Sequence, residues 1–535
     1  MPKTILVHTE ASYLSTGYAV YSHEILSRLH KTKKYNIVEY ANYGSESDPR
    51  RNSLPWEFVG VLPLNDQEKQ VYESVPTNQF GSYKFEQTLL KYKPDIVYSM
   101  LDIWMNEYQL TSPFRKCYSL FWMPTVDSEP QPMEWVSKYE QCDGIFTYTR
   151  WAEQHLRTLS KNIKYCGQAS PAADYDVFRP MNSKEVFGFK DKFVIGTTMR
   201  NQKRKLFPNL VAAFDKLMDS DEKIRKVTYL YLHTSWPDNG WNIPEIIKNS
   251  KYSNRILMTY ACHSCGSFYP SIYSDALSIC KNCGNYTAST PNTTRGLDRK
   301  QLAAIYNVFD IYVQYSREEG FALPIAEAAA CNIPVFGTDY SAMCSVIPDC
   351  GGNLIRLKEK HLDPDKNTYF AIPDDDDLIK QIKHYFHLPE HEKNRKRIQA
   401  REKAMKNYSY DKTVNNLIKY FDQAKDGNWN GPPDIRPAVQ NVPNNLSYSQ
   451  LVDWAIINIL GKPELLGTYF STKLLKELNQ GCRFSNNPNA NELSMIGIRS
   501  SNIPYGPNDM LNELAHMRTM INFWEERRIG VNNGS

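Results

Sequence analysis

Ser316-Arg317-Glu318-Glu319-Gly320-Phe321-Ala322-Leu323-Pro324-Ile325-Ala326-Glu327-Ala328 follows an apolar run, Asp310–Tyr315, and leads into an alanine-rich stretch. The order is strand, loop, helix. Pro324 suits the start of a helix, where its missing N–H would have no partner anyway. The loop therefore brings unpaired backbone N–H groups and the positive end of a helix dipole to the mouth of a sheet, where a phosphate can sit. Glu319 lies in the loop and Glu327 about one turn into the helix, so two carboxylates can flank one ligand and accept bonds from its hydroxyls. The competing account is an exposed loop glutamate and a helix-starting glutamate that only suits the dipole.

The same alternation runs outward in both directions. Towards the amino terminus, short apolar runs at Lys3–Thr9, Tyr35–Tyr40, Asp95–Met100, Cys117–Trp122, Gly144–Thr149 and Ile163–Gln168 alternate with helical stretches. A second series holds Phe193–Thr198, Val227–His233, Arg255–Tyr260, Phe309–Tyr315, Ile333–Gly337 and Gly352–Leu357, with helices at Phe207–Met218 and Arg299–Val308. Apolar character without period-two alternation indicates strands buried on both faces of parallel sheets. Two such series predict an α/β protein of two Rossmann-like doubly wound domains, 1–180 and 181–428, with ligands at the carboxyl ends of the strands. A Pro-, Gly- and Asn-rich linker from Asn430 to Pro443 and amphipathic helices at Ser447–Leu460 and Asn512–Arg528 predict a mainly helical extension over 429–535.

A length of 535 residues, 41% hydrophobic and 23% charged, is that of a globular chain with more than one core. The formal net charge of +4 neither requires nor excludes an anionic polymer as partner. No apolar run reaches transmembrane length, and Met1–Val7 reads as a buried strand, not a signal peptide, which favours the cytoplasm. Seven of the eleven cysteines are scattered, as free thiols in a reducing compartment would be.

The other four form Cys262-His263-Ser264-Cys265-Gly266 and Cys280-Lys281-Asn282-Cys283-Gly284. This C-x2-C-x14-C-x2-C spacing, with a glycine after each pair, supplies four soft thiolates for a structural tetrahedral zinc in a ribbon inserted at 261–292. Two disulfides are the alternative, disfavoured by the cytoplasmic reading. His263 reads as a surface residue of the knuckle, because four cysteines already fill the shell.

Glu319 and Glu327, with Ala329-Ala330-Cys331-Asn332-Ile333-Pro334-Val335 beyond them, resemble the E-x7-E signature of the retaining GT-B glycosyltransferases of family four, also called glycosyltransferase group 1. Asn332 stands where the family usually has glycine, and asparagine tolerates a left-handed backbone better than most residues. The resemblance spans roughly residues 1–425 and is strongest from 190 to 340. It implies that Glu319 faces a donor sugar, with the backbone of Gly320, Phe321, Ala322 and Leu323 beside it, and that Glu327 holds ribose hydroxyls. An Arg and a Lys five residues later neutralise the leaving diphosphate in that family; Arg200 and Lys205 have the spacing. Fixed cations would do the charge-stabilising work, so no catalytic metal is expected. Lys203 and Arg204 read as a solvated basic turn. Gly17, in Ser15-Thr16-Gly17-Tyr18-Ala19, matches the family's glycine-bearing loop near the donor. Asp127 matches a position that often contacts sugar or acceptor, with a helix-capping aspartate as the rival account.

The implied function is transfer of a sugar from a nucleoside-diphosphate sugar to an acceptor hydroxyl with retention of configuration. The ribbon and the extension both add surface, which points to a polymeric acceptor, a glycan or a hydroxylated base in DNA of the kind some viruses modify. Trp236, Trp241, Phe268, Tyr269 and Tyr273 could stack bases, or could be the ribbon's own small core. The ribbon either contacts the acceptor or only stabilises the fold. The alternative function is a catalytically idle GT-B scaffold that binds nucleic acid or protein through ribbon and tail. Lys393–Lys403 reads as a solvated helix face.

Overall fold

The structure, a computed structural model, describes residues 2–292, 295–364, 366–429, 442–483, 503–504 and 506–521 except 512, 516, 519 and 520. It divides into two compact units. The first holds the chain up to Ala19, Thr32–Leu120 and the chain from Ala424 onward; the second holds Val20–Lys31 and Phe121–Gln423.

In the first unit, β1 (Lys3–Glu10) pairs in parallel with β2 (Tyr35–Asn42), from Lys3 opposite Tyr35 to Glu10 opposite Asn42. It also pairs with β4 (Ile96–Ser99), while β3 (Glu57–Gly60) lies beside β2, giving the order β3-β2-β1-β4. Four successive residues of β4 are buried, as the unbroken apolar run predicts. β3 was not legible in the sequence, because Glu57-Phe58-Val59-Gly60 is too short to register as an apolar run. The helical extension belongs to this unit. Ser447 caps helix Tyr448–Ala455 in a reciprocal box with Gln450, and the chain continues through a wider turn at Ile456–Leu460 to helix Tyr469–Gln480. Leu451, Val452, Leu460, Leu474, Leu478 and Leu514 share one small core. The expected linker lies mostly, and the expected helix Asn512–Arg528 largely, outside the described residues. Just before the linker, Trp429 Nε1 donates to Pro94 O at 3.0 Å.

β5 (Ser119–Trp122), whose last two residues open the second unit's main segment, pairs in parallel with β6 (Gly144–Thr147), and β6 with β7 (Tyr165–Gln168). A larger sheet follows, built on β8 (Phe193–Thr198), β9 (Thr228–His233), β10 (Ile256–Cys262), β14 (Ile311–Gln314), β15 (Val335–Thr338) and β16 (Asn353–Ile355). These six run in parallel in the order β10-β9-β8-β14-β15-β16. Numbered from β8, that is 3-2-1-4-5-6, the doubly wound order that opens a ligand crevice where the winding reverses, between the ends of β8 and β14. Every residue of β8, β14 and β15 is buried. Helix Phe207–Ser220 covers the sheet with Leu210, Val211, Phe214, Leu217 and Met218. Helix Leu323–Ala330 is buried from Ile325 to Ala330, which is why it is rich in alanine, and it packs against helix Glu390–Asn407.

Three short strands extend the sheet beyond β10: β11 (Phe268–Ile272), β12 (Leu277–Ser278) and β13 (Ala288–Ser289), all antiparallel to their neighbours. They form the expected ribbon-shaped insertion. A two-stranded hairpin, β17 (Leu357–Asp363) with β18 (Thr368–Pro373), was not legible, because Leu357-Lys358-Glu359-Lys360-His361 is too polar to read as a buried strand. The solvated reading of Lys393–Lys403 needs correction at two residues. Arg397 lies 3.6 Å from Asp310, and Arg401 donates to Phe178 O at 2.9 Å and to Ala330 O.

Candidate active site at the sheet reversal

The loops after β8 and β14 meet where the winding reverses, joined by a backbone bridge between Lys205 and Ser316. Glu319 is the centre of the site and only 4% exposed. Its carboxylate accepts bonds from Lys205 Nζ, from Arg204 Nη1 at 2.9 Å and from Gln314 Nε2 at 2.6 Å. Its backbone N–H donates to Ser341 Oγ at 3.0 Å. The account of Glu319 as an exposed loop residue is thereby excluded. Burial alone would raise this carboxyl, but the Lys205 and Arg204 cations override it and hold it at about 2. Burial, with Arg204 beside it, brings the Lys205 ammonium down to about 8. Both groups are ionised at neutral pH.

The solvated reading of the turn after β8 is corrected at Arg204, whereas Lys203 is exposed. Lys203 sits over the Trp241 ring, 4.6 Å from its centre, and Arg204 bridges Glu318 O and Glu319. Arg204 was missed because it looks like one more charge in a basic turn; nothing in the sequence marks it as the residue that turns inward. Arg200, half exposed, is paired through Nε with Asp238 at 3.0 Å.

The loop itself is shaped by two backbone demands. At Gly320 an added Cβ would lie 2.5 Å from Thr125 Cγ2, so the glycine permits close approach to the loop after β5. Ala322 takes a left-handed conformation (φ 65°) before the helix opens at Leu323. Phe321 turns inward, edge-on to Tyr408 at 5.1 Å, which anchors the loop. Glu327 is buried, accepts a bond from Tyr306 Oη at 2.9 Å, and is pushed up to about 7 by burial. Asn332 has φ 62°, the left-handed backbone expected of a position where glycine is usual.

Asp127 does not cap the next helix, Met133–Glu140, whose cap is Pro132. It instead shares a charge cluster with Arg204, Glu318 and Lys366. Burial raises the Glu318 carboxyl, which pairs with Lys366 at 3.0 Å. Gln202, Arg204, Arg317, Glu318, Asp363 and Lys366 line a cavity of about 290 Å³ there. Glu318 was legible only as a neighbour of Glu319, and Lys366 and Asp363 arrive on the hairpin the sequence did not show. In the first unit, Gly17 opens helix Gly17–Lys31, and a Cβ there would meet nothing within 4 Å.

The four ribbon cysteines place their Sγ atoms within 4.8 Å of one another. Cys262 and Cys283 are 3.6 Å apart and Cys265 and Cys280 3.8 Å, too far for a disulfide bond of about 2.05 Å. Each knuckle closes alike: Gly266 N–H donates to Cys262 O at 3.0 Å and Gly284 N–H to Cys280 O at 2.9 Å. His263 points away, bonded to Ser289 Oγ at 2.7 Å. Trp236, Trp241, Tyr269 and Tyr273 pack on the buried core of the sheet, and Phe268 stacks edge-on with Phe187, so these aromatics serve packing.

Two series of parallel strands, the second with a buried Glu-x7-Glu loop where its winding reverses, form a GT-B-like α/β fold. Residues 292–405 match the family model "Glycosyl transferases group 1", which covers the loop, both glutamates and the helix after them. No curated protein matches the chain in sequence. Solved structures share the fold. Sucrose-phosphate synthase from Thermosynechococcus elongatus superposes with a TM-score of 0.55 at 15% identity, over 79% of this chain and 98% of that one. A glycosyltransferase from Rickettsia africae gives 0.55 at 16%, over 79% and 98%. The Anabaena protein HepE, in complex with UDP and glucose, gives 0.51 at 12%, over 79% and 100%. No helix among the described residues is long and apolar enough to cross a membrane.

Proposed function

We propose that this enzyme transfers a sugar from a nucleoside-diphosphate sugar to an acceptor hydroxyl with retention of configuration. The observation that carries the reading is the buried, ionised Glu319 clamped by Lys205 and Arg204 where the sheet winding reverses. A carboxylate held at about 2 stays charged at any working pH and can accept bonds from the hydroxyls of a donor sugar. Arg200, Lys205 and the amino end of helix Leu323–Ala330 supply positive charge for the leaving diphosphate, so the charge-stabilising role needs no catalytic metal. Glu327, one helical turn further, takes the ribose hydroxyls. Gly17 keeps the donor role that the family resemblance gives it, and Asp127 with Glu318 serves the acceptor side. In this mechanism the acceptor proton passes to the leaving phosphate, so no protein nucleophile is required.

The four cysteines fit a structural zinc. A tetrahedron with Zn–S of about 2.3 Å requires sulfurs about 3.8 Å apart, and the observed pairs are at 3.6 and 3.8 Å. The ion would supply a cross-link, not chemistry. The acceptor is a polymer, glycan or hydroxylated base in DNA, and the enzyme works in the cytoplasm.

Calorimetric titration with a set of nucleoside-diphosphate sugars tests the donor assignment. One donor should bind, and Arg200→Ala and Lys205→Met should each weaken it by about 10-fold or more. Proton NMR of the first product formed then reads the anomeric configuration. An inverted product contradicts retention while leaving the donor site in place.

A further inference from the structure

The ribbon is bonded to the very loop that holds the donor-site cations. Trp236 N–H donates to Pro291 O at 2.8 Å, and Thr290 Oγ1 donates to Trp236 O at 2.9 Å. Thr290 directly follows β13, which pairs Ala288 with the metal-ligand candidate Cys262. From Trp236 the contacts lead inward. Ser235 Oγ donates to Asp238 at 2.5 Å and accepts the Asn201 N–H at 3.1 Å. Asp238, its side chain 2% exposed, holds the Arg200 guanidinium through Nε at 3.0 Å and Nη2 at 3.2 Å. The Asn201 side chain exchanges two bonds of 2.8 Å with the Trp241 backbone. Gly240 lies so close beneath Asn201 that a Cβ would sit 2.2 Å from Oδ1. Trp241 Nε1 donates to Lys205 O at 2.8 Å.

We infer that Ser235–Trp241 is a positioning strap through which the ribbon fixes Arg200 and Lys205, so that ribbon integrity sets the affinity for the donor diphosphate. The inference rests on the assignment of Arg200 and Lys205 to that diphosphate. Its physical content is preorganisation. Both cations sit on an irregular turn, and a turn that must be ordered on binding loses affinity relative to one already held. Nine polar contacts run through the strap without involving any group that would touch the ligand's sugar. The ribbon thus acts on the donor side of the reaction, and Asp238, Ser235, Asn201 and Thr290 are positioning residues.

The test uses the full chain and uridine, guanosine and adenosine diphosphates as probes, with calorimetry for affinity and hydrogen exchange for the 199–206 and 235–241 backbone. Thr290→Val leaves all four cysteines in place; Cys280→Ser with Cys283→Ser breaks the ribbon directly. Each should weaken the diphosphate that binds by ~5-fold, the loss of about one net hydrogen bond, and should speed exchange in both segments. Folded variants with wild-type affinity and wild-type exchange at 199–206 would overturn the strap. Should the cysteine variant not fold, Thr290→Val decides alone. If Arg200→Ala and Lys205→Met also leave binding unchanged, the donor-site assignment has failed and the strap falls with it; if they weaken binding while the ribbon variants do not, only the strap is wrong.

Discussion

Lys205 lies under Glu319 with its ammonium brought down to about 8 by burial and by Arg204. Its charge is therefore present below that value and lost as pH rises through it, well before an ordinary lysine would titrate. The kcat/KM for the donor should fall above about pH 8. Lys205→Met should abolish that limb and lower kcat by about 100-fold, the scale of removing one charge-stabilising group. Glu327 behaves in the opposite sense. Its folded value of about 7 lies above the ordinary 4.5, so the native state binds a proton that the unfolded chain releases. That stabilisation is complete below the unfolded value and lost as pH rises towards and through 7. Thermal melts of wild type should show Tm declining over this window, and Glu327→Gln should flatten the decline. At this scale the sequence showed both glutamates, because their spacing is a pattern, and hid Arg204, because only the fold decides which of several adjacent cations turns inward.

The loop after β14 and the ribbon are the elements that give the site its form. Gly320→Ala would set a methyl 2.5 Å from Thr125 Cγ2. It should cost about 1–2 kcal/mol of stability, read from denaturant melts, and Thr125→Ser should restore most of it in the double variant. A Thr125→Ser partner that restores nothing would place the strain elsewhere. For the ribbon, elemental analysis should find one zinc per chain, lost together with a drop in Tm when Cys280 and Cys283 become serine. The elements legible in the sequence were those with unbroken apolar runs, such as β8 and β14, which match within two residues at each end. β17 was not, since Leu357–Asp363 is largely polar, and its pairing with β18 is a tertiary fact. That hairpin carries Asp363 to the cavity beside Glu318, so this cavity was the least readable part of the candidate site.

Across the whole molecule, four of the proposed donor-site groups, Arg200, Lys205, Glu319 and Glu327, belong to the second unit, while the helical extension belongs to the first and has its own core. A chain ending after Trp429 should therefore keep its affinity for a nucleoside diphosphate within about 2-fold by calorimetry; a larger loss would give the extension a part in the donor site. The strand order of the larger sheet was readable because each strand at the reversal carries its loop signature in sequence, whereas the extension offers helices and no chemistry. The central claim is that this protein cleaves a nucleoside-diphosphate sugar at the Glu319 site. It is tested most directly by incubating purified protein with a panel of such donors and following release of the nucleoside diphosphate, with Arg200→Ala and Glu327→Ala alongside. Release from one donor, lost in both variants, is the predicted result. No release from any donor, with no donor bound by calorimetry, would contradict it and leave an idle scaffold whose working parts are the ribbon and the tail.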